Sequence, residues 1–255
     1  MSWFFMEDSS SLLFELSSDE RMTILKNLLK ERLKLSHIAK KQDITATEAS
    51  RHLQRLSDAR LIQKDENGLY HLTKYGELNL SLLDSLFFTS GNRQYFLDHD
   101  ASVLPYQFIN RLGELSVSSF QGDFITTFAY VEGMMRQAEE YVYAMEEQFH
   151  VNAPPIVAEK MKLGVDIRTI LPKTIVPPPG FRPAAGVERR LLPSVKINLF
   201  VTDKEAVFGL PTLDGRIDYS VFESKDPKFR KWCVDLFMYY WDQGKPLLGS
   251  IPNLS

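Results

Sequence analysis

The 255-residue sequence predicts an α+β N-terminal winged helix-turn-helix followed by an α/β C-terminal domain. Three observations carry that expectation. Amphipathic stretches between residues 18 and 59 run into two alternating segments that meet at Asn67-Gly68. Beyond Gly91, short apolar runs alternate with helical patterns, and the chain closes on a long aromatic helix. The expected domains are 1–90, a winged helix-turn-helix with a linker or dimerisation helix, and 91–255, an α/β domain.

The first helix opens at Ser18-Asp19-Glu20, a good N-terminus, and Met22, Leu25, Leu28 and Leu29 recur at helical spacing behind it. A shorter helix fits Ser36 to Gln42. Asp43-Ile44 then turns the chain into a third helix, where Thr45-Ala46-Thr47-Glu48 has the form of a capping box. Ala49, Leu53 and Leu56 give that helix one apolar face, and Thr47, Ser50, Arg51, Gln54, Arg55 and Asp58 line the other. Side chains of those types reach base edges and phosphates. Alternation on both sides of Asn67-Gly68 predicts a hairpin, and Asn-Gly suits a type I′ turn. Three helices and a hairpin follow the winged-helix order.

Charge supports the same use of this region. The whole chain carries a net charge of -3. Yet Arg21 to Lys64 holds eleven Lys and Arg (21, 26, 30, 32, 34, 40, 41, 51, 55, 60, 64) against four acids (31, 43, 48, 58). A locally basic segment in an acidic protein is the electrostatic footprint that a phosphate backbone requires. The expected DNA-contacting residues are Thr45, Thr47, Ser50, Arg51, Gln54, Arg55, Lys64 and Asn67, with double-stranded DNA as partner. The alternative is a winged helix that binds protein without reading DNA. After it, Leu78, Leu82, Leu83 and Leu86 lie on a helix from Glu77 to Phe88, as a homodimer seam or a surface for the next domain.

In the C-terminal part, strands are expected at 115–120, 141–145, 165–171, 195–201 and 206–210, with Phe124, Phe128, Val131 and Met135 on a helix face. Pro177-Pro178-Pro179-Gly180 reads as an exposed loop. The last helix is capped by Asp226 with Pro227 in its first turn. Phe229, Trp232, Cys233, Leu236, Phe237, Tyr240 and Trp241 form its stripe, and Gly244 and Pro246 stop it. Such a stripe is a core face, and it takes Cys233 out of catalysis. As the sole cysteine, Cys233 also excludes an intrachain disulfide and a cysteine-rich zinc site. The start, Met1 to Met6, is apolar but meets Glu7-Asp8 at once, unlike a signal peptide. No stretch approaches the ~20 apolar residues of a membrane span. A soluble, cytoplasmic protein is expected, with no membrane partner.

The order of motifs resembles the archaeal winged-helix regulators of the methanogenesis-regulator (Fil-type) family. The matching stretches begin with Ser18-Asp19-Glu20-Arg21, Ser50-Arg51-His52-Leu53-Gln54-Arg55-Leu56 and Tyr70-His71-Leu72-Thr73-Lys74-Tyr75-Gly76. They continue with Asp98-His99-Asp100 to Pro105, Arg111-Leu112-Gly113-Glu114-Leu115, Asp203-Lys204-Glu205-Ala206, Leu210-Pro211 and Asp214-Gly215-Arg216-Ile217-Asp218-Tyr219. The resemblance implies an ArsR-like head and a sensor domain distantly similar to those of TrmB-type sugar regulators. It also implies a transcription regulator that answers to a small-molecule effector. Arg60 departs from the pattern, since such heads commonly carry Gly before the wing.

Sensor domains of that kind resemble the phospholipase D fold, whose chemistry needs His-x-Lys-x-x-x-x-Asp. None of His37, His52, His71, His99 and His150 has Lys two places on. Asp98-His99-Asp100 reads as a surface turn in preference to a metal site. No Gly-rich phosphate loop, G-x-S-x-G or H-E-x-x-H motif occurs. No catalytic residue, metal or cofactor is expected. Arg168, Asp203 and Tyr219 are candidates for a sensor pocket, with fold-stabilising roles as the alternative.

Overall fold

The computed structural model describes residues 3–149, 152–182 and 184–247. Met1, Ser2 and His150, considered above, lie outside the described residues, as does the side chain of Phe124. The chain divides into two units, Met1–Leu83 and Asp84–Ser255.

The first unit opens with α1 (Trp3–Leu16), α2 (Asp19–Lys30), α3 (Leu35–Gln42) and α4 (Ala46–Asp58). Ser18 caps α2 by accepting a hydrogen bond from the Arg21 amide, and Asp19 and Glu20 complement the positive end of the helix. Asp43 ends α3 in the left-handed conformation at φ 53°, which short polar side chains tolerate. Ile24, Leu25, Leu28, Ile38, Ala49, Leu53, Leu56 and Leu61 are buried between the helices. The two short strands that follow, β1 (Ile62–Lys64) and β2 (Tyr70–Leu72), pair antiparallel with Ile62 opposite Leu72. Leu33, between α2 and α3, exchanges two backbone hydrogen bonds with Tyr70 and ties the hairpin to the helices.

The hairpin turn differs from the expected type I′. That type needs positive φ at both central residues, and Asn67 does not have it. Instead the Gly68 amide donates to the Asp65 carbonyl, and Gly68 alone is left-handed at φ 77°. The Asp65 carboxylate accepts from the amides of Asn67 and Leu69, which fixes a three-residue loop. Asp65 therefore outweighs the Asn-Gly preference.

The corner into α5 (Lys74–Gly91) rests on two unusual residues. Arg60 is left-handed at φ 60°, where glycine sits without strain. Gly76 faces the carbonyl oxygen of Leu61 so closely that an added Cβ would stand 2.1 Å from it. Thr73 Oγ1 clamps this corner, donating to the Arg60 carbonyl at 2.7 Å and accepting from the Gly76 amide at 2.9 Å.

The second unit takes over within α5 and continues with α6 (Arg93–Asp98), α7 (Tyr106–Ile109) and single 3-10 turns at Ala101–Val103 and Leu112–Leu115. Its sheet has eight strands among the described residues: β3 (Ser119–Gln121), β4 (Tyr141–Met145), β5 (Asp166–Pro172), β6 (Glu188–Leu192), β7 (Asn198–Thr202), β8 (Ala206–Gly209), β9 (Val221–Ser224) and β10 (Lys245–Pro246). Their order is β10-β6-β5-β4-β7-β8-β9-β3. Helices α8 (Phe124–Gln137), α9 (Ala153–Lys162) and α10 (Pro227–Gln243) complete it.

Only β4–β5 and β5–β6 run parallel; the other neighbours are antiparallel. The unit is therefore an α/β domain built on a mixed, mostly antiparallel sheet. Short returns such as Asp203–Glu205 permit only antiparallel neighbours. Side chains alternate between two cores. Val142, Ala144, Phe200, Val207 and Val221 face α8 and α9. Met145, Leu199, Val201, Phe208 and Phe222 face α10, whose Phe229, Trp232, Leu236 and Phe237 are fully buried. Each buried Val, Leu, Met or Phe among them contributes roughly 1.5–3 kcal/mol of hydrophobic stabilisation.

Three further expectations change. The segment 115–120 is mostly a turn, because Leu115 is drawn into the α10 core and the strand begins only at Ser119. Residues 195–197 precede β7, although Val195 and Ile197 are buried. The proline-rich loop is exposed at Pro179 and Gly180 but anchored by buried Ile175 and Pro177. Asp166–Pro172, Tyr141–Met145 and Ala206–Gly209 are strands at the expected places.

Candidate nucleic-acid interface

Local sequence positions α4. Thr45 Oγ1 accepts from the Glu48 amide at 3.2 Å, while Glu48 Oε2 accepts from the Thr45 amide at 2.9 Å. The Thr45 amide first, and then the Thr45 hydroxyl donating to Glu48 Oε2 at 2.8 Å, hold the Glu48 carboxyl below its ordinary value. Thr45 thus spends its hydroxyl on the helix end. Ala49, Leu53 and Leu56 point inward, each at most 1% exposed, which fixes the rotation of the helix.

That rotation exposes Thr47, Ser50, Arg51 and Gln54 on one face. Gln54 donates to Asp58 Oδ1 at 2.8 Å, one turn on. Among the described residues no ion pair engages Arg51. Between the two faces, His52 is half-buried, and burial followed by the charges of Arg21 and Arg51 pushes its imidazole below the ordinary value. On the hairpin, exposed Lys64 lies 5.5 Å from the centre of the Tyr70 ring, and Asn67 is exposed at the turn.

Arg55 is placed differently from its neighbours. Its guanidinium grips Glu15 of α1, with Nη2 to Oε1 at 2.6 Å and Nε to Oε2 at 3.0 Å, and it stands over the Phe14 ring at 5.0 Å. Arg21 holds the same carboxylate from the other side at 3.0 Å and donates to the carbonyls of Glu15 and Phe14. The Arg55 hydrogen bond, ahead of the opposing burial, keeps Glu15 ionised below the usual carboxylate range. Arg55 is thus a strut between α1 and α4. Glu15 and Phe14 were missed by sequence reasoning, because nothing local marks a partner forty residues away.

In the second unit the three pocket candidates make structural contacts. Arg168 pairs with Asp166 and lies over the Tyr143 and Trp241 rings. Asp203 accepts from the amides of Glu139 and Glu140. The Tyr219 carbonyl accepts from Thr127 Oγ1. His99 is buried and not on a surface turn: it stacks on Tyr95 at 3.9 Å and binds the Tyr95 carbonyl and Asp218 through its two ring nitrogens. Stacking and two hydrogen bonds compensate its burial. Among the described residues no group of three or more His, Cys, Asp or Glu side chains stands together as a metal site. Cys233 is buried, and desolvation raises its thiol well above the ordinary value. No helix among the described residues is long and apolar enough to cross a membrane.

The arrangement defines a two-unit protein whose first, mainly helical unit displays an ordered polar helix face within a locally basic segment. Residues 184–243 match the family model of the methanogenesis regulatory protein FilR1, middle domain. The matched stretch runs from before β6 through α10, and it includes the Asp203-Lys204-Glu205-Ala206 and Asp214-Gly215-Arg216 motifs that carried the resemblance. No curated protein matches the chain. Among solved structures, the archaeal chromatin protein TrmBL2 is 13% identical over 90% of this chain and 94% of that one, with a TM-score of 0.43. The phospholipase D family member Nuc from Salmonella typhimurium is 15% identical over 52% and 99% of the two chains, at 0.40. NucT from Helicobacter pylori is 11% identical over 51% and 98%, at 0.41.

Proposed function

We propose that this chain is a sequence-specific DNA-binding transcription regulator that acts in the cytoplasm as a homodimer, without enzymatic activity. In this reading the first unit is a winged helix-turn-helix with α4 as recognition helix and the β1–β2 hairpin as wing. The observation that carries the reading is the outward face of α4. Thr47, Ser50, Arg51 and Gln54 stand exposed on a helix whose opposite side is locked into a core, within a basic segment. The family model over residues 184–243 supports a regulatory role for the remainder.

Arg51 and Gln54 suit base edges; Ser50 and Lys64 suit phosphates. Arg55 is assigned to holding α4 in place. Tyr75, Leu78, Leu82 and Leu86 form an exposed apolar stripe along α5, with Leu82 at 68% exposure, and a second copy of the chain would cover it. Fluorescence anisotropy against DNA from the gene's own upstream region, with scrambled DNA as control, tests the reading. Tight sequence-dependent binding that weakens steeply with salt is expected. No binding, or equal weak binding to both DNAs, would replace it with a protein-interaction module.

A further inference from the structure

The sheet of the second unit holds a cavity on its α8 and α9 side. Its floor is one cross-strand row. Arg189 on β6 stands beside Thr169 on β5, Thr169 beside Ala144 on β4, and Ala144 beside Phe200 on β7. The two small central residues leave a hollow between larger neighbours. Met135 of α8 and Val157 of α9 line it, and the stacked rings of Phe149 and Phe181, 4.5 Å apart, form a further wall. The hollow itself is about 60 Å³ and opens to solvent.

Two charged groups open onto this apolar space. Glu146 follows Ala144 by two positions, so it points to the same face, and its amide continues the ladder by donating to Ile170. Its side chain is half-buried and lines the cavity. Arg189 is half-buried and donates weakly to the carbonyls of Val187 and Ala184 at 3.3 and 3.2 Å. No ion pair joins Glu146 to Arg189 among the described residues. Opposite charges lining one cavity without touching leave room for a group between them.

We infer that this cavity binds a small, apolar-bodied carboxylate, held between the Arg189 guanidinium and the Glu146 carboxyl. Arg189 keeps its charge at any physiological pH, so the polar end of the cavity always offers cationic donors. Burial pushes the Glu146 carboxyl up to about 7, against the pull of Arg189. Glu147 and Tyr219 are the other titratable groups near it: burial first, and then the charges of Glu147 and Glu146, raises the Tyr219 hydroxyl. A ligand anion beside Glu146 favours its neutral form, which then donates a second hydrogen bond to the ligand. Binding takes up a proton. An amine would meet the repulsion of Arg189, and a neutral amide would forgo the charge-assisted bond. The cavity is an effector site only on the regulator reading above, but its occupancy is measured without DNA.

The test is isothermal calorimetry on the full chain at pH 7, with phenylacetate as the probe and phenylacetamide and phenethylamine as comparators. Repeating it in buffers of different protonation heat counts the protons. Phenylacetate binds and takes up a fraction of a proton per site, because Glu146 is partly ionised when the site is empty. Phenylacetamide and phenethylamine bind about tenfold more weakly or worse. Arg189→Gln costs at least about tenfold in phenylacetate affinity, while Glu146→Gln retains binding and loses the proton uptake. Ala144→Met, which fills the floor with apolar atoms, gives the same loss if Arg189→Gln does not fold. Absent phenylacetate binding, equal binding of the amide, or affinity unchanged in both Arg189→Gln and Ala144→Met would overturn the inference.

Discussion

The α4 face and the sheet cavity are built in opposite ways. On α4, four exposed polar residues lie within two turns, and a capping box and three buried residues of the same helix set their direction. The cavity draws Met135, Ala144, Glu146, Val157, Thr169 and Arg189 from five elements and a strand end, spread over more than fifty residues. A helix face is a local product of periodicity; a cavity is a product of strand order. The contrast can be broken or sharpened by substitutions in each region.

The largest effect is expected at the corner before α5. Gly76→Ala places a Cβ against the Leu61 carbonyl and should cost about 3 kcal/mol, measured by denaturant unfolding of the chain. The cavity is expected to respond to pH instead. Glu146 has a folded value raised to about 7, so the folded chain holds a proton that the unfolded chain has released. Stability from this group is present below the ordinary carboxylate range and is lost as pH rises through 7. Glu146→Gln should therefore gain on the order of 2 kcal/mol relative to the parent between pH 5 and pH 8. Matched chemical unfolding curves at the two pH values check this.

Two arginines one turn apart on α4 sharpen the comparison from within. Arg51→Ala should lower specific DNA affinity by about 1–3 kcal/mol and leave unfolding nearly unchanged. Arg55→Ala leaves Glu15 with Arg21 alone and should lower the Tm of the first unit, with the smaller effect on DNA specificity. Smallest of all is Arg60→Gly, expected to stabilise by about 0.5–1 kcal/mol because φ 60° suits glycine. A rise of a few degrees in Tm would register it.

These differences also show what sequence could reveal. Thr45 and Glu48 announce a capping box in four residues, and Ala49, Leu53 and Leu56 announce the buried side. The α10 stripe from Phe229 to Trp241 is equally plain, because helical spacing is local. Arg55 looks the same in sequence as Arg51, and only α1, brought back across forty residues, tells them apart. The hairpin turn was misread because the side chain of Asp65, outside the Asn67-Gly68 pair, sets the loop. Strands β6 and β9 escaped notice: Glu188-Arg189-Arg190 is too polar to read as sheet, and Val221-Phe222 is too short. Glu146 and Arg189 could not be associated from sequence, since only the parallel register of β4, β5 and β6 unites them.

The central claim is that α4 reads DNA through its exposed face while Arg55 serves the fold. Its most direct test is the salt dependence and sequence preference of DNA binding, compared between the parent chain, Arg51→Ala and Arg55→Ala by fluorescence anisotropy. The account predicts a steep loss of affinity with salt in the parent. It also predicts collapse of sequence preference in Arg51→Ala, and retained preference in Arg55→Ala wherever that variant is folded. Unchanged preference in Arg51→Ala, or no sequence-dependent binding by the parent, would contradict it.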